Sequence, residues 1–188
     1  SINRNNKNFN LKVSNMIRLI SGITRNYPST IKPALEVIGR REGVNKVLGM
    51  YIMNTKKGIL FLADTTININ PTEDDIVEIT EMVAQAIKSL RFNPRIALLS
   101  YSNFGSSRTK ESSKMAKAAV RIKNNNPNLI IDGEIQADFA LNKEKISNLF
   151  EFSELSENPA NTLIFPNLES GNIAYKLRYI SFSLLIQH

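Results

Sequence analysis

The chain has no cysteine, and its single histidine is the last residue, His188. Without thiols there can be no disulfide scaffold, thiolate zinc site, iron–sulfur cluster or cysteine nucleophile. One terminal histidine gives no footing for a serine–histidine triad or a histidine-rich metal site. No apolar run reaches the about 18 residues that a membrane-crossing helix needs. Neither G-x-x-x-x-G-K-[ST] nor G-x-G-x-x-G occurs, so ATP and dinucleotide binding of the common kinds have no support. H-E-x-x-H is absent too. The first 30 residues are rich in Asn, Lys and Arg, and their apolar stretch MIRLISGI is broken by Arg18. That is a poor signal peptide, so a cytoplasmic location is expected.

What is present suits one globular domain, or one domain with a piece of a second: 188 residues, 42% hydrophobic and 22% charged. The net charge of +7 is unevenly spread. Residues 1–57 hold 11 basic and 2 acidic side chains, a net of +9, whereas residues 58–188 hold 13 and 15, a net of −2. The basic segment reads as an anion site, as a solvated surface, or as the counterpart of an acidic partner. Few aromatics interleave its basic residues, which argues against nucleic acid.

Residues 1–12 (SINRNNKNFNLK) look like a flexible lead-in. VLGMYIMN and GILFLAD flank Thr55-Lys56-Lys57-Gly58, a hairpin signal. NPTEDDIVEITEMVAQAIKSL predicts a helix capped by Asn70, with Pro71 at its first position and Ile76, Ile79, Val83, Ile87 and Leu90 on one apolar face. RIALLSYS, NLIID and NTLIFP read as short buried strands. NFGSSRTKESS reads as a polar loop, and KMAKAAVRIK as a helix with Met115, Ala118, Ala119 and Ile122 inward. GEIQADFAL suggests a further helix, and NLESGNIAYKL a helix or turn. Strands near 47–53, 59–63, 96–100, 129–132 and 162–165, alternating with helices, predict a three-layer α/β domain. Its sheet is mainly parallel, with one antiparallel edge strand from the hairpin.

Candidate chemistry lies at strand ends, where α/β proteins place ligands. Ser100-Tyr101-Ser102-Asn103-Phe104-Gly105-Ser106-Ser107 joins a strand to a helix. Its small residues let backbone amides of Gly105 and Ser106 approach a phosphoryl or acyl oxygen, or it is a plain polar connection. Asp132-Gly133-Glu134 follows the next strand. If 134–140 is helical, Glu134 and Asp138 share a face and could do acid–base work or hold a divalent metal; the alternative, which is favoured, is a glycine turn with acidic residues at a helix N-terminus. Asn161, Asn167, Gly171, Asn172 and Lys176 form a third group, and Ala63-Asp64-Thr65-Thr66 a fourth. No metal site is expected from any of them.

In this order the four segments FLADTTININPTEDDIVEIT, PRIALLSYSNFGSS, PNLIIDGEIQADFALN and ANTLIFPNLESGNIAYKL resemble the phosphate acetyl/butyryl transferase family, from about Ile23 to Leu177. The SNFGSS and ADTTININPT forms look most like the branch fused to NADP-dependent malic enzymes. The resemblance implies a two-domain α/β fold, a homodimer or larger oligomer, and CoA or acetyl-CoA as a non-covalent ligand in the cleft between domains. It implies an acetyl-CoA-responsive regulatory domain whose malic-enzyme partner domains lie N-terminal. The alternative within the family is a phosphate acetyltransferase moving acetyl between CoA and phosphate. After NIAYK the family continues with a GPILxGL-type segment and a DLSRG-like motif, where this chain reads RYISFSLLIQH. SNMIRL also departs from the family's small, acidic stretch before GITR.

The expectation is therefore a fragment without turnover of its own. It comprises a partial N-terminal segment at 1–33, the α/β domain at 34–178 and a truncated apolar tail at 179–188. The ligand-binding candidates are Ser100, Ser102, Asn103, Gly105, Ser106, Asn167 and Asn172, with Arg25 as a phosphate partner. Asp132, Gly133 and Glu134 are expected to orient loops as a turn or cap, since bare carboxylates repel CoA phosphates. No nucleic-acid or membrane partner is expected.

Overall fold

A computed structural model describes residues 48–64 and 67–186, with side chains as far as 177. They fall within one compact unit, Lys46–His188. Five strands form one sheet: β1 (Met50–Thr55), β2 (Gly58–Ala63), β3 (Arg95–Leu99), β4 (Ile130–Ile135) and β5 (Thr162–Ile164). The order across the sheet is β1-β2-β5-β3-β4. β1 and β2 are the expected antiparallel hairpin, with Thr55 opposite Gly58, and all other neighbours are parallel. β5, the last strand in sequence, is thus inserted between β2 and β3.

The central strands are largely apolar, residues 96–99 of β3 and 163–164 of β5 in continuous runs, because both faces are covered. Ile96 and Leu98 point into one core with Phe61, Ile131 and Ile164, and Ala97 and Leu99 into the other with Leu62, Ile135 and Leu163. Helices α1 (Glu73–Ser89) and α2 (Lys110–Asn125) cover the first face, through Ile76, Ile79, Val83 and Ile87 and through Met115, Ala118 and Ile122. The short helices α3 (Ala137–Ala140) and α4 (Lys143–Leu149), with Leu155, cover the second. Helix α5 (Leu168–Ile186) also packs there, where Tyr175 stacks on Tyr51 of β1 with ring centres 3.9 Å apart. Among the described residues, no helix is long and apolar enough to cross a membrane.

Three local expectations are corrected. The first helix is capped by Thr72 rather than Asn70. The Thr72 hydroxyl accepts from Asp75 N at 3.2 Å while the Asp75 carboxylate takes Thr72 N at 2.9 Å, a reciprocal pair that neither Asn70 nor Pro71 can form with that turn. Helix α2 begins inside the segment read as loop, because Thr109 accepts from Ser112 N and Ser112 is buried. The helix expected over 134–140 is shorter and begins later. β4 continues through Gly133 and Glu134 to Ile135, which lies opposite Leu99, and only Ala137–Ala140 is helical. At the other end, α5 runs on to Ile186, through the segment read as the apolar tail.

Candidate functional site

The serine loop and the Asp-Gly-Glu segment meet at the C-terminal edge of β3 and β4. Residue 134 is an extra residue in β4, since Leu98 faces Gly133 and Leu99 faces Ile135. Such a bulge re-aims a side chain. Glu134 Oε1 accepts from the Ser102 hydroxyl at 2.7 Å and from Gly105 N at 2.8 Å. Its backbone carbonyl takes Phe104 N at 2.9 Å. Ser102 is 0% exposed and Glu134 2%.

The loop is further closed on itself. Ser107 N donates to Ser102 Oγ at 2.9 Å, and Asn103 N to Ser106 Oγ at 2.9 Å. Asn103 Oδ1 holds Gln136 N at 2.7 Å, and the Gln136 amide reaches back to the Tyr101 carbonyl at 2.6 Å. Ser100 Oγ accepts from Ser102 N at 3.3 Å. The Gly105 and Ser106 amides, read from the sequence as able to meet a phosphoryl or acyl oxygen, both have partners within the fold. Gly105 N is taken by Glu134, and Ser106 N by the Asn103 carbonyl at 2.9 Å. A carboxylate on the neighbouring strand fills the place that an anionic ligand was expected to hold.

Asp132 and Glu134 do not act as a pair: two apart in a regular strand they would share a face, but the extra residue in β4 breaks the alternation, and the two carboxylates have separate partners. Asp132 accepts from Ser153 Oγ at 2.7 Å and Glu154 N at 3.2 Å, tying the turn after α4 to β4. Lys123 lies between Asp132, at 3.6 Å, and Glu154, at 3.1 Å. The proposed Glu134–Asp138 face is absent as well. Asp138 sits on α3, where Lys145 bonds it at 2.7 Å and holds its carboxyl below the usual range. Gly133 has φ +149°, and a Cβ there would meet the Leu98 carbonyl oxygen at 2.7 Å. Only glycine lets the two backbones come this close.

Asn167 and Asn172 follow β5, on the far side of β3 from β4. They line a cleft of about 620 Å³ with Ile69, Asn70, Leu168 and Glu169. Asn167 Oδ1 accepts from Ser170 N at 2.9 Å, which caps the start of α5. Among the described residues no hydrogen bond joins these asparagines to the serine loop, which follows the neighbouring strand β3. Asn161 lies at the opposite end of the sheet, holding Arg95 N at 2.8 Å and the Asn93 carbonyl at 2.9 Å. Lys176 is exposed on α5. Buried Asp64 orders the loop after β2, accepting from Ile67 N at 3.2 Å and Asn68 N at 2.9 Å. Arg25, Thr65 and Thr66 lie outside the described residues.

Two positions escape sequence reasoning. Lys114 of α2 donates to the Pro71 carbonyl at 2.9 Å and the Pro166 carbonyl at 3.0 Å, tying together the loops that border the cleft. Burial pushes its ammonium pKa down, against the opposing pull of Glu111 and Asp75. Phe104, at φ +45°, turns the serine loop onto Phe150 and Phe152, with ring centres 4.9 and 5.0 Å away. Composition carries no signal for either, since a helix-surface lysine and a loop phenylalanine are ordinary. Among the described residues, no group of three or more acidic or histidine side chains could hold a metal ion.

A mainly parallel sheet flanked by helices, with an ordered hydroxyl loop at its carboxyl edge, defines an α/β domain with that loop where such folds place ligands. The phosphate acetyl/butaryl transferase family model matches residues 11–181, and the chain belongs to that family. It is 38% identical over 159 residues to the phosphate acetyltransferase of Bacillus subtilis, covering 85% of this chain and 49% of the relative. It is 36% identical over 159 residues to the NADP-dependent malic enzyme of Haemophilus influenzae, covering 85% of this chain and 21% of that protein. The phosphotransacetylase structure from Streptococcus pyogenes superposes with a TM-score of 0.74 at 34% identity, covering 83% of this chain and 48% of that one. The chain thus spans about half the length of the Bacillus subtilis phosphate acetyltransferase and about a fifth of the malic enzymes.

Proposed function

We propose that the chain is a phosphotransacetylase-type domain that binds acetyl-CoA and serves an NADP-dependent malic enzyme as its regulatory module. The observation that carries this reading is the pre-ordered serine loop, pinned at the carboxyl edge of the sheet by buried Glu134. A loop already held in one conformation costs little entropy to occupy. The SNFGSS and ADTTININPT forms, and 36% identity to malic enzymes of two organisms, support the regulatory branch. The reading includes a cytoplasmic homodimer or larger assembly.

A second reading, a phosphate acetyltransferase moving acetyl between CoA and phosphate, is favoured by the 38% identity to the Bacillus subtilis enzyme. Supplying acetyl phosphate and CoA to the chain separates the two. Saturable acetyl-CoA binding without thioester formation is expected. Sustained acetyl-CoA production would establish the transferase instead, and no binding of either CoA form would remove both. The coding sequence upstream of Ser1 supplies an independent test of the malic-enzyme parent.

A further inference from the structure

The serine loop offers its ligand an acceptor. Glu134 as a carboxylate can only accept, and Ser102 has one hydroxyl proton. That proton has three possible partners: Glu134 Oε1 at 2.7 Å, Ser106 Oγ at 3.1 Å and the Ser107 carbonyl at 3.4 Å. The short, charge-assisted contact holds it. Ser102 Oγ therefore accepts from its other neighbours, Ser107 N at 2.9 Å and Ser106 Oγ at 3.1 Å. Ser106 must then be the donor in its contact with Ser102. Its oxygen also accepts from Asn103 N at 2.9 Å. An exposed hydroxyl is left with one lone pair and no proton to give. The loop amides at Phe104, Gly105, Ser106 and Ser107 are all spent within the fold.

We infer that Ser106, polarised through Ser102 by Glu134, receives an N–H or S–H donor of the ligand. On coenzyme A these donors lie on the pantetheine arm, with its two amides and its thiol, while the phosphates carry acceptors that a carboxylate-backed acceptor repels. The inference rests on coenzyme A binding as proposed above, and it adds which end of the molecule the serine loop holds. Ser106 binds directly; Ser102 and Glu134 are positioning residues.

The test is calorimetric titration of the full chain with CoA, pantetheine and inorganic phosphate, in wild type, Ser106→Ala and Ser106→Thr. Ser106 is exposed, so both variants should fold. Ser106→Ala is expected to weaken CoA and pantetheine by about three- to tenfold, the worth of one net hydrogen bond. Phosphate binding should not change, and Ser106→Thr, which keeps the hydroxyl, should restore affinity. Weakened phosphate with unchanged pantetheine would make the loop an oxyanion site and overturn the inference. Unchanged affinity for both would remove Ser106 from the site. If wild type bound CoA by its phosphates but not pantetheine, the inference would fall while the CoA reading stood. If it bound no CoA at all, the reading itself would fail.

Discussion

Ser102 and Glu134 are 32 positions apart in sequence and joined by a 2.7 Å hydrogen bond between two buried side chains. Each would be poorly placed alone. A buried carboxylate needs donors, and a buried hydroxyl beside a carboxylate has its proton direction set. The contact converts two neighbouring strand ends into one rigid unit.

Removing that carboxylate should loosen the loop before it unfolds the domain. Glu134→Ala leaves Ser102 Oγ and Gly105 N without their shared acceptor. A loss of about 2–4 kcal/mol is expected, read as a lower urea midpoint. Glu134→Gln keeps one carbonyl oxygen and should lose about half as much. Hydrogen exchange at the Gly105 amide should accelerate in the alanine variant more than exchange in the core of β3. Equal protection in both places would mean that Glu134 does not hold the loop.

Gly133→Ala should be more damaging than its size suggests. The added methyl would stand 2.7 Å from the Leu98 carbonyl oxygen and 2.8 Å from the Leu98 Cβ, with φ at +149°. Both atoms belong to Leu98 of the buried strand β3, which has little room to yield. About 2 kcal/mol or more should be lost, measured by denaturant unfolding. A variant as stable as wild type would show that β3 and β4 can separate at this point.

The fold was largely readable because its strands are continuous apolar runs and α1 carries a clear period, Ile76, Ile79, Val83 and Ile87. The errors fall where tertiary pairing outweighs local preference. Gly133-Glu134-Ile135 lies in a segment of helix-favouring composition, yet Ile135 is buried opposite Leu99 and draws it into the sheet. The site was half readable. Loops at strand ends could be marked from sequence, but strand order could not, and it is β5 between β2 and β3 that brings Asn167 beside Ile69 and Asn70. That Glu134 would occupy the Gly105 amide has no trace in spacing or composition.

The cap of α1 supplies a smaller and cleaner test. Thr72 and Asp75 exchange two hydrogen bonds at the helix start. Thr72→Ala removes one and should cost about 1 kcal/mol, seen as a drop in Tm. Asn70→Ala should cost much less, because Asn70 is not the cap. The reverse ranking would return the cap to Asn70.

Lys114 ties stability to pH through a sign that can be worked out. Burial lowers its pKa from the ordinary 10.5, so the folded state holds this proton less tightly than the unfolded chain. Between the two pKa values the unfolded state binds more protons, and stability therefore rises with pH across that window. Below it the full cost of keeping the ammonium buried is present; above 10.5 the contribution stops changing. Lys114→Met lacks the group and should lack this rise, although other lysines and tyrosines titrate in both proteins. The stability of wild type minus that of the variant should therefore grow as pH climbs toward 10.5. Loss of the bonds to the Pro71 and Pro166 carbonyls should also speed exchange at the Leu168 amide, which donates across the same cleft to Ile69 O at 3.1 Å. A difference that is flat in pH, with Leu168 still protected, would mean that the ammonium is solvated and the bridge carries no stability.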